Sequence, residues 1–504
     1  MTITQIDACL TTRDGRLFIE GCDTVELARR FGTPLFVISE NQLRRNTRRF
    51  HQAFADAWPD GAVDVLPAIK ANWILATRII LSQEGAGADI YSEGELQAAL
   101  TAGVAPGKIS VNGGGKPDDL IEKCIRAGVR ITVEDLDEPG RIDRIAGRLG
   151  TRARIRFRVK PSFPNLWRPT DFAQEKVSID LGIQTYKSGI PAQYLPDLGR
   201  EVLQRPNLDM VGIHFHAGRH HPSLWYWRGL MRRYARLVAK LGREWDGWRP
   251  REIDIGGGFA LHRDPHNKLG LRRDVVETWL TWPLVGLLQL LPARRRYDLM
   301  RRFIRFFTKT PSRRRAPAIE AYARTAAGTL RRELRRQGVE TAGVRLQLEP
   351  GRALYGNAGI HLTRVKQFKQ QTEPLPMNWV LTDTTYFFLS GGVYEYQFGH
   401  FIFANRTDDP PAHVADVVGH SCYADRILPF VRVPAVASGD LLALLDMGAY
   451  QEVSASNFNA LPRPATVLVE GSRAEVIRRA ETLDDVFRRD IIPERLRLQD
   501  QAAV

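Results

Sequence analysis

Chemically active residue types follow several of the short apolar runs in the first 360 residues of this 504-residue chain. Lys70 stands in the apolar segment LPAIKAN, and Gly256, Gly257 and Gly258 follow the run EIDI. Because partial burial lowers the pKa of an ammonium group, Lys70 is predicted to be a nucleophilic amine. Successive glycines let backbone N–H groups approach a phosphate. The two features predict an amine that forms a Schiff base beside an anion-binding loop.

Residues after other apolar runs extend this set. Glu349 is followed by Pro350, Gly351 and Arg352, which offer a carboxylate, a backbone amide and a charge-assisted donor. A carboxylate binds a protonated pyridine nitrogen, and the imidazole of His216, in the segment HFH, stacks on a pyridine ring. Together the set predicts a site for pyridoxal 5′-phosphate (PLP). Each feature alone is equally typical of an ion pair, a tight turn or a buried histidine, so their order carries the inference.

The elements that must position these residues are visible as an alternating pattern. Short runs rich in β-branched residues alternate with segments at helical spacing, such as GELQAALTAG and LIEKCIRAG, which end in glycine as helices often do. Eight such pairs predict an α/β fold, a (β/α)8 TIM-type barrel with its active site at the C-terminal ends of the strands. The predicted strands are 63–71, 87–92, 108–112, 130–134, 154–159, 210–216, 252–255 and 344–348.

The amino-acid composition of the sequence changes near residue 360. Segments such as WVLTDTTYFFLSGGVYEYQF and ASGDLLALLDMGAY are rich in Val, Thr, Tyr and Phe with frequent Gly, which predicts a second, C-terminal antiparallel β-domain. We therefore expect three parts: an N-terminal segment 1–35 that packs on the β-domain, a PLP-binding barrel 36–360 with a basic helical insert at about 263–315, and the β-domain 361–504.

The net charge of +15 is concentrated in the insert, which has 14 Lys and Arg residues against four acidic residues. The insert also contains the apolar run WLTWPLVGLLQLL and the amphipathic run YDLMRRFIRFF, which predict a helical subdomain with a solvated basic face. Peripheral contact with an anionic membrane or an acidic partner stays open, because basic amphipathic helices lie on such surfaces. Nucleic acid is a poor candidate, since no RNP-like, zinc-finger or helix-turn-helix pattern accompanies the charge.

Compartment and metal content are constrained by what the sequence lacks. No apolar run reaches the roughly 18 residues of a membrane span, and the first residues do not read as a signal peptide. The four cysteines, Cys9, Cys22, Cys124 and Cys422, are too scattered for a disulfide framework or a CxxC metal site. We therefore expect a cytoplasmic protein without a metal ion.

The sequence resembles the fold-type III PLP-dependent decarboxylases, the diaminopimelate, ornithine and arginine decarboxylase group with an alanine racemase-like barrel. The resemblance runs from about residue 32 to residue 468, outside the insert. It implies PLP-dependent removal of the α-carboxylate of an amino acid. The matching stretches are FGTPLFVISENQLRRN, AIKAN, GADIYSEGEL, KISVNGGGKPDDL, VGIHFHAG, DIGGGF, LEPGRAL, SGDLLALLDMGAY and SNFNALPRPATVLV.

The resemblance implies a role for each matching residue. Lys70 binds PLP covalently, Glu349 pairs with the pyridine nitrogen and His216 stacks on the ring. Asp89 and Arg158 support the lysine and the ring. The residues implied near the phosphate are Gly256, Gly257, Gly258, Gly351, Arg352, Tyr450 and Arg219, the last in place of a serine that is usual in the family.

The resemblance also implies a homodimer in which a cysteine-containing loop of the partner chain completes each active site. Here that loop is HSCYADRIL, so Cys422 is the implied proton donor to the substrate carbon. A buried structural thiol is the alternative, since free cysteines are usually buried.

The residues expected around the substrate depart from the family pattern. Tyr423 stands where an acidic residue binds a distal amine, Asp180 replaces a lysine, and the segment 390–394 lacks the arginine that binds a distal carboxylate. The substrate therefore stays open and includes carrier-linked amino acids. Two other activities also stay open, namely racemisation or epimerisation, and PLP binding with little catalysis. The candidate substrate residues are Asp383, Tyr394, Tyr423 and Asp425.

Overall fold

The structure is a computed structural model that describes residues 7–161, 183–216, 218, 222–261, 263, 286–307, 315–391 and 400–497, with backbone alone for 303–307. Its strands form a parallel barrel, a second large sheet and a small N-terminal sheet. In chain order the strands are β1 (Leu10–Arg13), β2 (Arg16–Ile19), β3 (Cys22–Asp23), β4 (Leu35–Ser39), β5 (Val63–Val65), β6 (Ala88–Ile90), β7 (Ile109–Val111), β8 (Arg130–Val133), β9 (Ala153–Lys160), β10 (Ile190–Pro191), β11 (Leu208–His214), β12 (Glu252–Asp254), β13 (Arg345–Leu348), β14 (Gly359–Gln371), β15 (Met377–Thr382), β16 (Phe401–Phe403), β17 (His413–Val418), β18 (Arg426–Val433), β19 (Leu441–Leu445), β20 (Ala465–Glu470) and β21 (Arg473–Arg478).

The barrel strands pair in the order β5-β13-β12-β11-β9-β8-β7-β6, and a parallel bridge between Ala68 and Asp89 joins the two ends. The eight predicted strands and the barrel are confirmed. The first strand is shorter than the predicted 63–71, since β5 ends at Val65 and Ile69–Ala71 forms a 3-10 turn. Pro67 has no N–H for a ladder bond, so regular pairing ends before Lys70.

Helices cover the barrel and bury their apolar faces in one cluster with the barrel strands. The predicted glycine cap at Gly128 is present, with a left-handed backbone at φ 76°. The helices are α1 (Thr24–Phe31), α2 (Glu40–Ala57), α3 (Leu75–Gln83), α4 (Glu93–Thr101), α5 (Asp118–Ala127), α6 (Glu138–Arg148), α7 (Leu195–Gln204), α8 (Leu224–Glu244), α9 (Ala293–Phe307), α10 (Ile319–Arg336), α11 (Arg352–Tyr355) and α12 (Leu483–Phe487).

The second large sheet has the order β18-β17-β15-β14-β4-β20-β21, and β19 pairs with both β14 and β16. Most of its strand pairs are antiparallel, as predicted, whereas β4 with β20 and β15 with β17 are parallel. Apolar side chains of this sheet are buried in two further clusters. The second domain is therefore a mainly antiparallel β-domain.

The N-terminal residues lie against this β-domain. Strands β1, β2 and β3 form the small antiparallel sheet, and Leu17 and Ile19 share a buried cluster with Ala443 and Val467. We expected the barrel part to begin at residue 36, but β4 lies in the middle of the second sheet. The reason is that all five of its side chains are buried and its two edges are covered by β14 and β20.

The ends of the basic insert lie together, because Arg263 and Arg315 form an isolated antiparallel bridge. The guanidinium of Arg263 is buried and donates to Asp446 at 2.7 and 2.8 Å and to Asp7 at 2.5 Å. Helix α9 lies inside the insert, while the first part of WLTWPLVGLLQLL falls outside the described residues. In the part of the chain that the structure describes, no helix has the length and apolar character to cross a membrane.

Candidate active site

Lys70 sits on the short turn that follows the first barrel strand, and the neighbouring backbone holds this turn from three sides. Ala68 N–H donates to the carbonyl of Pro350 at 3.2 Å, and Asp89 N–H donates to that of Pro67 at 3.3 Å. From the β-domain, Tyr450 N–H donates to the carbonyl of Ala71 at 2.8 Å. The turn therefore places Lys70 at the mouth of the barrel, where strands of the barrel meet a loop of the β-domain.

Acidic groups dominate the charge environment of Lys70. The side chain of Lys70 is accessible to solvent at the mouth of the barrel. Protein groups nevertheless surround its ammonium group closely enough for desolvation to act on its pKa. Desolvation lowers the pKa of Lys70, yet the charges of Asp89, Tyr450 and Glu349 outweigh it, so the pKa is raised. The prediction of a lowered pKa for Lys70 is therefore wrong, because the strand ends that bring in Lys70 also bring in its carboxylate neighbours.

Three donors hold the carboxylate of Glu349 inside the barrel. Asn112 Nδ2 and Arg156 Nη2 donate to Oε1 at 2.8 and 2.9 Å, and His214 Nε2 lies 3.1 Å from Oε2. Burial lowers the pKa of His214 well below its usual value, so the ring is neutral and its Nε2–H is the donor. Glu349 is consequently a fixed anion at the C-terminal end of β13.

Arg156 is the centre of the polar network beneath Glu349. Its guanidinium is fully buried and donates to Asp254 at 2.5 Å, to Gln347 at 2.6 Å, and to Thr132 and Ser110 at 2.8 Å each. The ligand atoms of His214, Asp254 and Glu349 lie within 4.8 Å of one another, a spacing that also suits a metal ion. Because Arg156 already binds both carboxylates, it supplies the positive charge that a metal would bring.

His216 lies beside the glycine loop with a neutral ring. Burial, followed by the charges of Arg158 and Lys70, lowers the pKa of His216 well below its usual value. Gly257 N–H donates to His216 Nδ1 at 3.2 Å, which assigns the proton of the neutral ring to Nε2. This bond fixes the orientation of the imidazole while leaving its faces available for stacking.

The glycine loop is tightly packed. Gly256 and Gly258 have φ of 64° and 101°, values that favour glycine, and a Cβ on Gly257 would overlap the carbonyl oxygen of Glu349. Gly256 N–H donates to Asp254 Oδ1 at 2.7 Å, so the amides of Gly256 and Gly257 already have partners. These two bonds hold the loop against Asp254 and His216, and the place of the three glycines near a phosphate stays a prediction.

Gly351, Arg352 and Tyr450 meet across the boundary between barrel and β-domain. A Cβ on Gly351 would lie 2.5 Å from the Tyr450 hydroxyl, and the buried guanidinium of Arg352 stacks over the Tyr450 ring at 4.8 Å. Tyr450 itself has a φ of 67°. A backbone amide, a hydroxyl and a guanidinium are thus gathered close to Lys70, and all three are suitable donors to a phosphate.

Asp89 and Arg158, which were predicted to support the lysine and the ring, have partners within the barrel. Asn112 Nδ2 donates to Asp89 Oδ1 at 2.5 Å as well as to Glu349, and Arg158 donates to Glu134 at 3.0 Å. Burial and the charge of Glu349 raise the pKa of Asp89 well above its usual value, although Lys70 opposes them. The repulsion between the carboxylates of Asp89 and Glu349 would be reduced by a cation beside Glu349. The protonated ring nitrogen of PLP would be such a cation. The charge distribution of the site therefore fits PLP.

Cys422 lies in the β-domain, on the loop between β17 and β18, with an exposed side chain. The described contacts connect it to Asn459 and none connects it to Lys70. Tyr423 is 59% exposed, and its ring centroid lies 5.7 Å from that of Phe387. The barrel residues and Cys422 are therefore two separate groups within one chain.

Two candidate substrate residues bind the protein itself. Asp425 is almost fully buried and accepts from the backbone N–H groups of Tyr386 at 2.5 Å and Ser421 at 2.9 Å. Asp383 accepts from the hydroxyls of Thr33 at 2.6 Å and Thr363 at 2.7 Å. Both carboxylates are thus engaged by donors of the protein, and their assignment to the substrate stays a prediction. The predicted residues Arg219 and Tyr394, together with Asp180, lie outside the described residues.

Sequence reasoning missed Arg156 and Glu134 as members of the site. A signal for Arg156 is present in β9, where IRFRVK alternates apolar and basic residues. Alternation with a period of two places Arg156 on the opposite face of the strand from Ile155 and Phe157. Because those two pack with the surrounding helices, Arg156 has to point into the barrel.

Comparisons with known proteins agree with this geometry. Residues 40–281 match the family model described as pyridoxal-dependent decarboxylase, pyridoxal binding domain. The chain is 30% identical to the diaminopimelate decarboxylase of Methanothermobacter thermautotrophicus over 96% of this chain and 97% of that one. It is 31% identical to that of Neisseria meningitidis over 93% and 97%. A crystal structure of the M. jannaschii diaminopimelate decarboxylase with L-lysine superposes with a TM-score of 0.80 at 27% identity, covering 97% and 99% of the two chains.

Proposed function

This chain belongs to the family of pyridoxal-dependent decarboxylases, and we propose that it removes the α-carboxylate of an amino acid with Lys70 as the residue that binds PLP covalently. The single observation that supports this assignment is the position of Lys70 between the fixed anion Glu349 and the donors of Gly351, Arg352 and Tyr450. Because full-length relatives are decarboxylases, decarboxylation is favoured over racemisation.

Besides Lys70, the protein would hold the cofactor at two points. When bound, PLP supplies an electron sink for bond cleavage at the α-carbon of the substrate. Glu349, fixed by Arg156 and Asn112, would accept a hydrogen bond from the protonated ring nitrogen. Tyr450, the amide of Gly351 and the guanidinium of Arg352 would hold the phosphate. We assign Gly258 to the same phosphate contact.

Other residues of the barrel orient the reacting groups. His216 is neutral, so its ring stacks on the pyridine without opposing the positive charge of the ring nitrogen. Asp89 stabilises the ammonium form of Lys70, and Asn112 couples Asp89 to Glu349. Arg158 is paired with Glu134, and its positive charge acts on both Lys70 and His216. These contacts hold Lys70 in place before substrate arrives and after product leaves.

Cys422 delivers a proton to the α-carbon after carbon dioxide leaves. Since the described contacts of one chain do not join Cys422 to Lys70, we propose a homodimer in which the Cys422 loop of one protomer completes the active site of the other. The exposure of the Cys422 thiol within a single chain supports this arrangement. Mixing inactive Lys70→Ala chains with Cys422→Ala chains of low residual activity is expected to raise activity well above that of either variant, because a mixed dimer contains one intact site. Separate active monomers would contradict it.

The substrate is proposed to be an amino acid without a free distal ammonium group. The relatives are named diaminopimelate decarboxylases, but in this chain Tyr423 follows Cys422, and the carboxylates of Asp383 and Asp425 are occupied by protein donors. Among the described candidate residues, none therefore offers an exposed counter-charge to a distal ammonium. Amino acids with an apolar side chain, or with the distal end carrier-linked, fit this surface better.

We propose the cytoplasm as the compartment, since all four cysteines are free thiols.

For the basic insert we propose contact with an anionic membrane surface. Leu287 and Leu290 are 61% and 81% exposed, and the exposed Arg294 and Arg295 lie close to them in the chain. The protein is expected to float with vesicles of phosphatidylglycerol and phosphatidylcholine but not with phosphatidylcholine alone. Flotation that is unaltered in the Arg294→Glu/Arg295→Glu variant would count against this surface.

Two measurements test the proposed enzyme. After incubation with PLP and borohydride reduction, mass spectrometry is expected to find the pyridoxyl mass on the peptide that contains Lys70. Lys70→Ala is expected to lose both this mass and the release of carbon dioxide, whereas Lys123→Ala, an exposed lysine on α5, keeps both. Carbon dioxide release from a panel of free and carrier-linked amino acids, with diaminopimelate included, identifies the substrate. Unchanged turnover by Lys70→Ala would refute the assignment.

A further inference from the structure

Asn459 binds Cys422 through both ends of its side-chain amide. The backbone N–H of Cys422 donates to Asn459 Oδ1 at 2.9 Å, and Asn459 Nδ2 donates to the Cys422 sulfur at 3.2 Å. The other cysteines, Cys9, Cys22 and Cys124, are buried, so Cys422 is the exposed thiol of the chain. A single asparagine thus contacts both the backbone and the reactive atom of this residue.

The turn that carries Asn459 is independently anchored in the β-domain. Asn459 has φ 60° and ψ 24°, a left-handed conformation that asparagine tolerates better than most residues with a Cβ. On one side the ring of Phe458 stacks on Phe387 with centroids 3.9 Å apart. On the other, Asn457 Nδ2 donates to the carbonyl of Leu461 at 3.0 Å. The amide of Asn459 is therefore presented by a fixed support.

The loop that carries Cys422 is anchored at its other end. The carboxylate of Asp425 binds the backbone N–H groups of Ser421 and Tyr386, at 2.9 and 2.5 Å. Asp425 is 1% exposed, so this anchor is not open to solvent. With Asp425 holding the backbone on one side and Asn459 on the other, the direction of the Cys422 side chain depends on the bond from Asn459 Nδ2.

We propose that Asn459 is a positioning residue that aims the Cys422 thiol and stabilises the sulfur after it has given up its proton. The inference rests on the proposed function, in which Cys422 protonates the α-carbon. In that step the S–H bond breaks and its electron pair stays on sulfur as a thiolate. The C–H bond forms with the electron pair that the departing carbon dioxide leaves behind, and water later returns a proton to sulfur. A hydrogen bond from an amide N–H is stronger to a thiolate than to a thiol.

Alkylation of Cys422 measures this role without turnover. Holoenzyme is treated with iodoacetamide between pH 6 and pH 9, and modification of the Cys422 peptide is followed by mass spectrometry. Asn459→Asp keeps the acceptor for the Cys422 backbone but replaces the donor to sulfur by a negative charge. Alkylation at pH 7 is expected to be roughly 3- to 10-fold slower, because less thiolate is present. Asn378→Asp, on β15, is the matched control with an unchanged rate. A wild-type rate for Asn459→Asp would overturn the proposal.

A double-mutant cycle separates positioning from general stability. Asn459→Gly retains the left-handed backbone and removes both hydrogen bonds. It is expected to lower kcat about 10-fold in the wild-type background and less than about 2-fold in the Cys422→Ala background. Effects that multiply, or an Asn459→Gly variant with the wild-type kcat, would overturn the role of Asn459. A Cys422→Ala variant with wild-type kcat would instead refute the proposed function of Cys422.

Discussion

Replacement of His361 by glutamine is expected to reduce the acid sensitivity of the β-domain. His361 lies on β14 with no exposed surface, and its Nε2 is 2.8 Å from the hydroxyl of Thr384. Its ring centroid lies 4.4 Å from that of Phe36. Burial lowers the pKa of His361 from 6.5 to about 3, and the charge of Asp383 opposes this only in part. The ring is therefore neutral in the folded protein and titrates only after unfolding or at very low pH.

The sign and size of the effect follow from these two pKa values. Above pH 6.5 the ring is neutral in both the folded and the unfolded state, so it contributes nothing to the pH dependence. As the pH falls below 6.5, His361 binds a proton in the unfolded chain, whereas in the folded chain it binds one only near pH 3. The free energy of unfolding therefore decreases. At 1.36 kcal/mol per pH unit, the loss at pH 5 is about 2 kcal/mol, or roughly 30-fold in the opening equilibrium.

Hydrogen exchange measures this loss locally. Protection of the 359–371 peptide, corrected for the intrinsic exchange rate, is compared at pH 7.5 and pH 5. Wild-type protein is expected to lose roughly 30-fold more protection than His361→Gln, which keeps a partner for Thr384 but does not titrate. His413→Gln, a half-buried histidine of the same domain, is the control with wild-type behaviour. Equal losses in wild type and His361→Gln would show that His361 already binds its proton in the folded state.

Three further substitutions test the cofactor site. Gly257→Ala places a methyl group against the carbonyl of Glu349 and is expected to weaken PLP binding about tenfold in equilibrium dialysis, since overpacking costs about 1–3 kcal/mol. Arg156→Met leaves Asp254 buried without its partner and is expected to cost about 3–5 kcal/mol, seen as a lower thermal midpoint that Asp254→Asn partly restores. Tyr450→Phe removes a phosphate donor and is expected to raise the Kd for PLP at least tenfold, with unchanged thermal stability.

The barrel was predictable from the sequence because its signals are local. Each strand is a short apolar run, and several of the following helices end at or just before a glycine, as α5 does at Gly128. Strand β4 was not, because what assigns it to the second sheet is pairing with β14 and β20, far away in sequence. A buried run such as LFVIS has the same composition in a barrel and in a mixed sheet. Long-range pairing therefore decides such cases, and local composition does not.

The cofactor residues were predictable to the extent that they depend on where strands end. Lys70, Glu349 and Gly351 follow the C-terminal ends of barrel strands by about one to five residues, and the structure brings them together. The charge balance was not predictable, because the pKa of Lys70 depends on Asp89, which approaches only when the first and second strands meet. The prediction for the Lys70 pKa considered burial of one group, whereas the folded site buries several charges at once.

The surroundings of the candidate substrate residues Asp383 and Asp425 could not be predicted from the sequence. Aspartate in a loop often binds nearby backbone N–H groups, and Asp425 does so with Ser421 and Tyr386. Such a residue cannot be distinguished in a sequence from one that faces a ligand, because both are acidic residues in loops. In this chain Asp425 anchors one side of the Cys422 loop and Asn459 the other. Asp425 therefore holds the loop that carries the thiol, and of the candidate substrate residues that the structure describes it is Tyr423 that has an exposed side chain.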